Sequence, residues 1–260
     1  MSGTISDARS PGWADNPDHG LGFDPSPRRV RVRFNGEIVA DSERMRLMRE
    51  DGSYIPVYYF PRDDVRMDLL SKSGHTTLCG YKGVASHFDI EAGEKTGADA
   101  AWSYESPPAQ AAAIAGYIGF HWDSVDHWYE EEDEIFACPR DPNHRVDVVN
   151  ASRRVEAILG GDKLAETTRP RVVYETGLPP RFYVAQEDIS MDLLEPSDTR
   201  TRCPYKGEAV YWSARVAGKL HEDVAWSYPD PIAECPKLKG YFCFNKERMD
   251  GVLVDGKPAP

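Results

Sequence analysis

The sequence predicts a mainly β protein made of two tandem antiparallel domains that carry only minor short helices. Three observations predict it: the chain repeats itself, each repeat opens on a hairpin signature, and most of its apolar patterning alternates as a strand does. Cys79-Gly80-Tyr81-Lys82-Gly83-Val84-Ala85 returns 124 residues later as Cys203-Pro204-Tyr205-Lys206-Gly207-Glu208-Ala209. At the same displacement Met67-Asp68-Leu69-Leu70 matches Met191-Asp192-Leu193-Leu194. Ala101-Trp102-Ser103-Tyr104 with Pro107 matches Ala225-Trp226-Ser227-Tyr228 with Pro231, and Gly116-Tyr117 with Phe120 matches Gly240-Tyr241 with Phe244. Upstream, Gly36, Ala40 and Glu50 answer to Gly161, Ala165 and Glu175 at a displacement of 125, so a one-residue difference lies in the loop around 51–58.

In chain order, residues 1–28 are rich in Gly, Pro, Ser and Asp and show no apolar period, which predicts a flexible arm. The first domain follows over 29–122. Val30 to Phe34 alternates, Asn35-Gly36 is a two-residue turn signal, and Glu37 to Ala40 returns as the partner strand. After Pro61, apolar residues at 65, 69 and 70 fit one short helix, which Glu187 to Leu194 repeats. The Cys-x-Tyr-Lys-Gly segment reads as a turn feeding a strand, and Ala109 to Ala115 as one or two helical turns stopped by Gly116. Residues 123–152 read as an acidic, aromatic linker absent from the second copy, with five consecutive acids, Glu130 to Glu134, anchored by Trp128, Tyr129, Ile135 and Phe136. It is expected to be ordered and to strap together two domains packed pseudo-symmetrically. The second domain, 153–260, opens on Val155 to Leu159, turns at Gly160-Gly161 and returns through Asp162 to Ala165.

Composition narrows the classes of function. The chain has 260 residues, 40% hydrophobic and 28% charged, enough to bury one or two cores. Its formal charge of −12 opposes a sequence-blind phosphate-binding surface, so nucleic acid is not an expected partner. No apolar run reaches the roughly 20 residues of a membrane helix, and no basic-then-apolar leader is visible, which predicts a soluble, cytoplasmic protein with no membrane partner. The oligomeric state is not legible. Five cysteines without a Cys-x-x-Cys pair argue for reduced thiols, against a disulfide framework and against a four-cysteine zinc site.

At Tyr59-Phe60-Pro61, the Cys203-Pro204-Tyr205-Lys206-Gly207 turn, and Ala225-Trp226-Ser227-Tyr228 with Pro231, the chain resembles domain of unknown function family 427 in its tandem two-domain form. Trp128-Tyr129-Glu130-Glu131, Pro139-Arg140-Asp141-Pro142 and Arg145-Val146-Asp147 are of the same type, and the resemblance covers about residues 28–260. It implies two β-tent-like domains, similar in architecture to methionine sulfoxide reductases of the B type and to the thalidomide-binding domain of cereblon. That likeness concerns shape and not chemistry.

The repeated chemistry-bearing residues suggest sites. Cys203 has Lys206 three residues on; a nearby ammonium favours a thiolate, which makes Cys203 a candidate nucleophile, while a thiol packed under a tight turn is the structural alternative. Lys206, like Lys82, is a candidate for an anionic ligand. Tyr205, Trp212, Trp226 and Tyr228, with Tyr211, exceed what a thin core needs and are expected to line a concave face that takes a flat or cationic ligand. Tyr211 and Trp212 are neighbours on one strand and face opposite ways, so one of them is spare. In the linker the first reading is structural, Arg–carboxylate pairs pinning the connector to both domains; the functional reading makes Glu131 or Glu132 a general acid or base, with Arg140 or Arg145 gripping an anionic substrate. No metal and no cofactor are expected. The leading reading is a small-molecule binding protein with an aromatic pocket in the second domain. The alternatives are an enzyme acting on a small polar metabolite through Cys203 or the linker carboxylates, and a protein–protein interaction module.

Overall fold

A computed structural model describes residues 10–260. The chain divides into two compact units, the first ending at Asp141 and the second beginning at Pro142. Each contains a seven-stranded and a four-stranded antiparallel sheet.

In the first unit the strands are β1 (Leu21–Pro25), β2 (Val30–Phe34), β3 (Glu37–Ser42), β4 (Arg46–Glu50), β5 (Val57–Pro61), β6 (Leu70–Cys79), β7 (Gly83–Ala92), β8 (Lys95–Ser103), β9 (Tyr117–Phe120), β10 (His127–Glu130) and β11 (Asp133–Ile135). The large sheet has the order β1-β4-β5-β9-β8-β7-β6 and the small one β11-β10-β2-β3. The second unit repeats this with β12 (Val146–Asn150), β13 (Val155–Leu159), β14 (Asp162–Thr167), β15 (Arg171–Glu175), β16 (Arg181–Ala185), β17 (Leu194–Cys203), β18 (Gly207–Val216), β19 (Lys219–Ser227), β20 (Tyr241–Phe244), β21 (Gly251–Val254) and β22 (Lys257–Pro258). Its large sheet is β12-β15-β16-β20-β19-β18-β17 and its small sheet β14-β13-β21-β22.

The hairpin signals act as expected. Asn35 and Gly36 lie at φ 46° and 86°, and Gly160 and Gly161 at 60° and 85°, the left-handed pair that a primed two-residue turn requires. The turn between β6 and β7, and its copy between β17 and β18, ends on Gly83 (φ 86°) and Gly207 (φ 111°). A Cβ on Gly207 would stand 3.1 Å from the Asp230 carbonyl, so this turn needs glycine twice over.

Alternation sorts the side chains into two layers. Tyr58 and Phe60 of β5 face the small sheet and join Val30, Val32, Phe34, Phe88, Ile118, Phe120 and Trp128 in the main core. Tyr59, between them, faces the other way into a second cluster with Met48, Ala85, Tyr104 and Ile114. The second unit does the same: Phe182 and Val184 enter one core, Tyr183 the other cluster with Val173, Tyr228, Cys235 and Cys243.

Three expectations differ. The helices predicted after Pro61 and at Glu187 are each two 3-10 turns, Arg62–Asp64 with Met67–Leu69 and Gln186–Asp188 with Met191–Leu193. Val65 and Ile189 stay extended because they bridge to Ala40 and Ala165, which breaks any continuous helix. The arm of 1–28 lies partly outside the described residues, but from residue 10 onward it carries the short helix Gly12–Asp15 and then β1, paired along its length with β4. The linker of 123–152 is no separate connector. Its β10 pairs with β2 and its β11 with β10, completing the first small sheet, and β12 opens the second unit against β15. Its counterparts, β21 and β22, stand at the far end of the second unit. The acidic run is accommodated by partners and a turn: Glu130 binds Arg28 and the Tyr58 hydroxyl, Glu131 turns the chain at φ 51°, and Glu132 meets Arg31 at 3.1 Å. Among the described residues no helix is long and apolar enough to cross a membrane.

Candidate functional site

On the face of each large sheet that turns away from the small sheet lies a hollow of about 250 Å³ in the second unit and about 240 Å³ in the first. The same positions build both. β4 and β15 supply Glu50 and Glu175, β5 and β16 supply Tyr59 and Tyr183, and the turn ahead of β7 and β18 supplies Lys82 and Lys206. β8 and β19 supply Trp102 and Trp226, followed by Tyr104 and Tyr228.

An ion pair forms the floor. Lys206, 7% exposed, donates from Nζ to Glu175 Oε2 at 2.5 Å, and His144 Nε2 meets Glu175 Oε1 at 3.1 Å. In the first unit Lys82, 8% exposed, donates to Glu50 Oε2, and His19 Nε2 lies 3.4 Å from Glu50 Oε1. Each histidine also stacks on the tyrosine of the turn, His144 on Tyr205 at 4.2 Å and His19 on Tyr81 at 3.5 Å between ring centroids. A buried ammonium and carboxylate offset each other's loss of solvation, and the imidazole meets the second carboxylate oxygen.

Above this floor the indoles are fixed by hydrogen bonds: Trp226 Nε1 donates to the Tyr183 hydroxyl at 3.2 Å, and Trp102 Nε1 to that of Tyr59 at 2.9 Å. Burial pushes the phenols of Tyr59, Tyr104, Tyr183 and Tyr228 well above the ordinary tyrosine range, so each remains a neutral donor. The Cys243 thiol, enclosed beside Tyr183, is pushed up to about 12 by the same desolvation.

The walls differ between the units. Where the second has Arg181, Tyr211 and Asn245, the first has Val57, His87 and His121. The Arg181 guanidinium lies 5.8 Å from the Trp226 ring centroid. Burial holds the His87 and His121 imidazoles below the ordinary histidine range, a shift that His75 reinforces at His87 and that His87 reinforces at His121.

Of the residues selected from sequence, Lys206, Trp226 and Tyr228 line the second hollow together. Tyr205 stands under it as the platform for His144. Cys203 packs half-buried in the cluster beneath, with Tyr211, Trp226 and Tyr228, and is not part of the lining. Trp212 turns to the main core, 5.3 Å from Phe242, as its counterpart Phe88 does in the first unit; the spare aromatic of the pair is Tyr211. Glu131 accepts from the Arg29 backbone N–H at 2.9 Å in the β10–β11 turn, and Arg145 is exposed and bonded to Asp147 at 2.9 Å. Arg140 closes the first unit, half-buried, and Arg145 lies in the second, so the linker trio does not gather around either hollow.

Sequence reasoning passed over Glu50, Glu175, His19, His144 and Arg181 as site residues. One signal was there to find. Asn16-Pro17-Asp18-His19 and Asp141-Pro142-Asn143-His144 are a further repeat at the displacement of 125, the same that relates Glu50 to Glu175.

Two copies of an antiparallel double-sheet domain, each holding a Lys–Glu–His floor beneath an indole and three tyrosines or their replacements, define a duplicated pocket protein. The chain belongs to the family described as a domain of unknown function, DUF427, which matches it twice, over residues 23–131 and 147–255. No curated protein matches the chain.

Proposed function

We propose that the second unit binds a small, flat organic acid, its carboxylate on Arg181 and its body against Trp226 and Tyr211. One observation carries this reading: Arg181 stands in the pocket wall, half-buried, and its guanidinium makes no hydrogen bond or ion pair among the described residues, while the other cation there, Lys206, is taken by Glu175. A planar guanidinium with its donors free and an aromatic face alongside is suited to bidentate capture of a carboxylate. The hollow is smaller than a drug-sized pocket, which restricts the ligand to metabolite size. The tyrosine hydroxyls and Asn245 supply neutral polar contacts for orientation. In this reading Cys203 and Glu131 take no part, since neither lines the hollow.

Calorimetric titration with benzoate and with benzamide tests the reading. Benzoate is expected to bind and the uncharged amide to bind about tenfold or more weakly; R181M is expected to remove the preference, as loss of a charged hydrogen-bond pair does. Equal binding of acid and amide, no binding of either, or an unchanged preference in R181M overturns it.

A further inference from the structure

The first unit carries a feature that the second lacks. Three of the chain's seven histidines converge there, two of them, His87 and His121, lining its hollow and the third, His75, stacked on His87. His75, His87 and His121 form one stack, with ring centroids 4.5 Å apart between the first two and 5.9 Å between the last two, and His121 lies 4.5 Å from Trp102. A nitrogen of His75, a nitrogen of His87 and a carboxylate oxygen of Asp99 lie within 4.8 Å of one another. We propose that His75, His87 and Asp99 form a binding site for a divalent first-row transition ion of the zinc type.

The donor set fits that class. Two imidazoles and one carboxylate suit zinc and its neighbours, whereas magnesium and calcium favour oxygen alone. Three protein ligands leave a tetrahedral ion one position for water or for an acidic group entering the hollow. Tetrahedral zinc holds its ligand atoms about 3.3 Å apart, given bonds of about 2.0 Å. The half-exposed His75 side chain, at 50%, has the freedom to close that gap.

The second observation is on His87 itself. It is 5% exposed, its Nε2 is hydrogen-bonded to Thr77 Oγ1 at 2.9 Å, and its Nδ1 is buried with no hydrogen-bond partner. A buried imidazole nitrogen left without a partner costs free energy that a bound ligand would recover. The surroundings also orient the other ligands, as outer-shell groups do at metal sites. Ser73 donates its hydroxyl to Asp99 Oδ1 at 2.5 Å, and the Asp99 backbone N–H binds Asp89 Oδ1 at 2.8 Å. Asp99 itself sits at φ 49°, in a bulge where β7 and β8 shift register, which aims its carboxylate at His75 Nδ1, 2.8 Å away.

The second unit provides the contrast within one chain. It keeps the aspartate, Asp223 at φ 51°, but bears Thr199, Tyr211 and Asn245 in place of the three histidines, and Thr199 Oγ1 takes the hydrogen bond to Asp223 at 2.8 Å. A bulge of the same shape therefore needs no histidine for its own stability. The histidines of the first unit are an addition to the fold.

Equilibrium dialysis of the full chain against Zn2+, and the visible absorption of a Co2+ derivative, test the proposal. One ion per chain is expected, with cobalt bands of a nitrogen and oxygen site. H75A and D99N are both at surface positions, and asparagine tolerates the left-handed backbone, so both are expected to keep the fold and to lose at least about tenfold in zinc affinity. Absence of saturable zinc binding, or either variant holding zinc as tightly as the unaltered chain, overturns it. The benzoate experiment reads the other unit, so the two proposals fail independently.

Discussion

Lys206 and Lys82 are almost fully buried, and lysine is seldom so unless paired. Their pairing with Glu175 and Glu50 makes the floor of each hollow a matched charge set, and it fixes what a substitution there does. K206M takes the ammonium from Glu175, whose side chain is 12% exposed, and leaves the buried carboxylate with His144 alone against it, which is expected to cost about 3 kcal/mol. Adding E175Q is expected to restore most of the loss, because the stranded charge is then gone. Denaturant unfolding of the three proteins measures both; a single variant as stable as the parent, or a double variant no better than the single, contradicts the account. At this scale the sequence was legible in part. Lys206, Trp226 and Tyr228 were picked out because they recur, and they do share a hollow. Glu175 recurs too, but 31 residues separate it from Lys206, and nothing local announces that two strands will bring them together.

The strands explain why some choices succeeded. Alternation alone dictates that Tyr211 and Trp212 part company, but it does not say which face holds the main core; that depends on where the small sheet packs, a pairing between segments about a hundred residues apart such as β13 and β21. The same long-range pairing hid β10 and β11, since His127-Trp128-Tyr129-Glu130 and Gly251-Val252-Leu253-Val254 share a place in the fold and no residue. The hairpins were legible because a two-residue turn is a local device. β9 supplies a prediction at this scale. Gly119 lies opposite Trp102, and a Cβ there would stand 2.6 Å from the indole Cζ2. An indole in a packed cluster cannot swing aside as a chain end does, so G119A is expected to cost about 1–3 kcal/mol and to shift Trp102 fluorescence. An unchanged Tm in the variant speaks against the packing described. The second unit has Cys243 at this position, paired with Trp226, and its indole is seated accordingly.

For the whole molecule, charge sets the response to pH. The carboxylates of Asp41, Asp68, Asp126, Glu105 and Glu166 lie below the ordinary range, each chiefly through a hydrogen bond from a basic partner: Arg29, Arg66, Lys95, Lys72 and Lys163 respectively. A carboxyl group whose folded value is depressed stabilises the fold fully above its unfolded value of about 4 and loses that contribution as pH falls through the folded value. Against this, the net charge of −12 is relieved on approach to the pI near 5.1. Tm is therefore expected to hold or rise slightly from pH 7 to about 5 and to fall below about 4, with 1 M salt shrinking the acid-side loss because the pairs are at the surface. A Tm that keeps rising to pH 3 contradicts this.

Every strand ladder described closes within its own unit, β1 to β11 on one side of the Asp141–Pro142 bond and β12 to β22 on the other. A polypeptide severed at that bond forfeits no rung of either ladder. Single halves, prepared and assayed apart, therefore offer a direct way to assign an acid to one and an ion to the other.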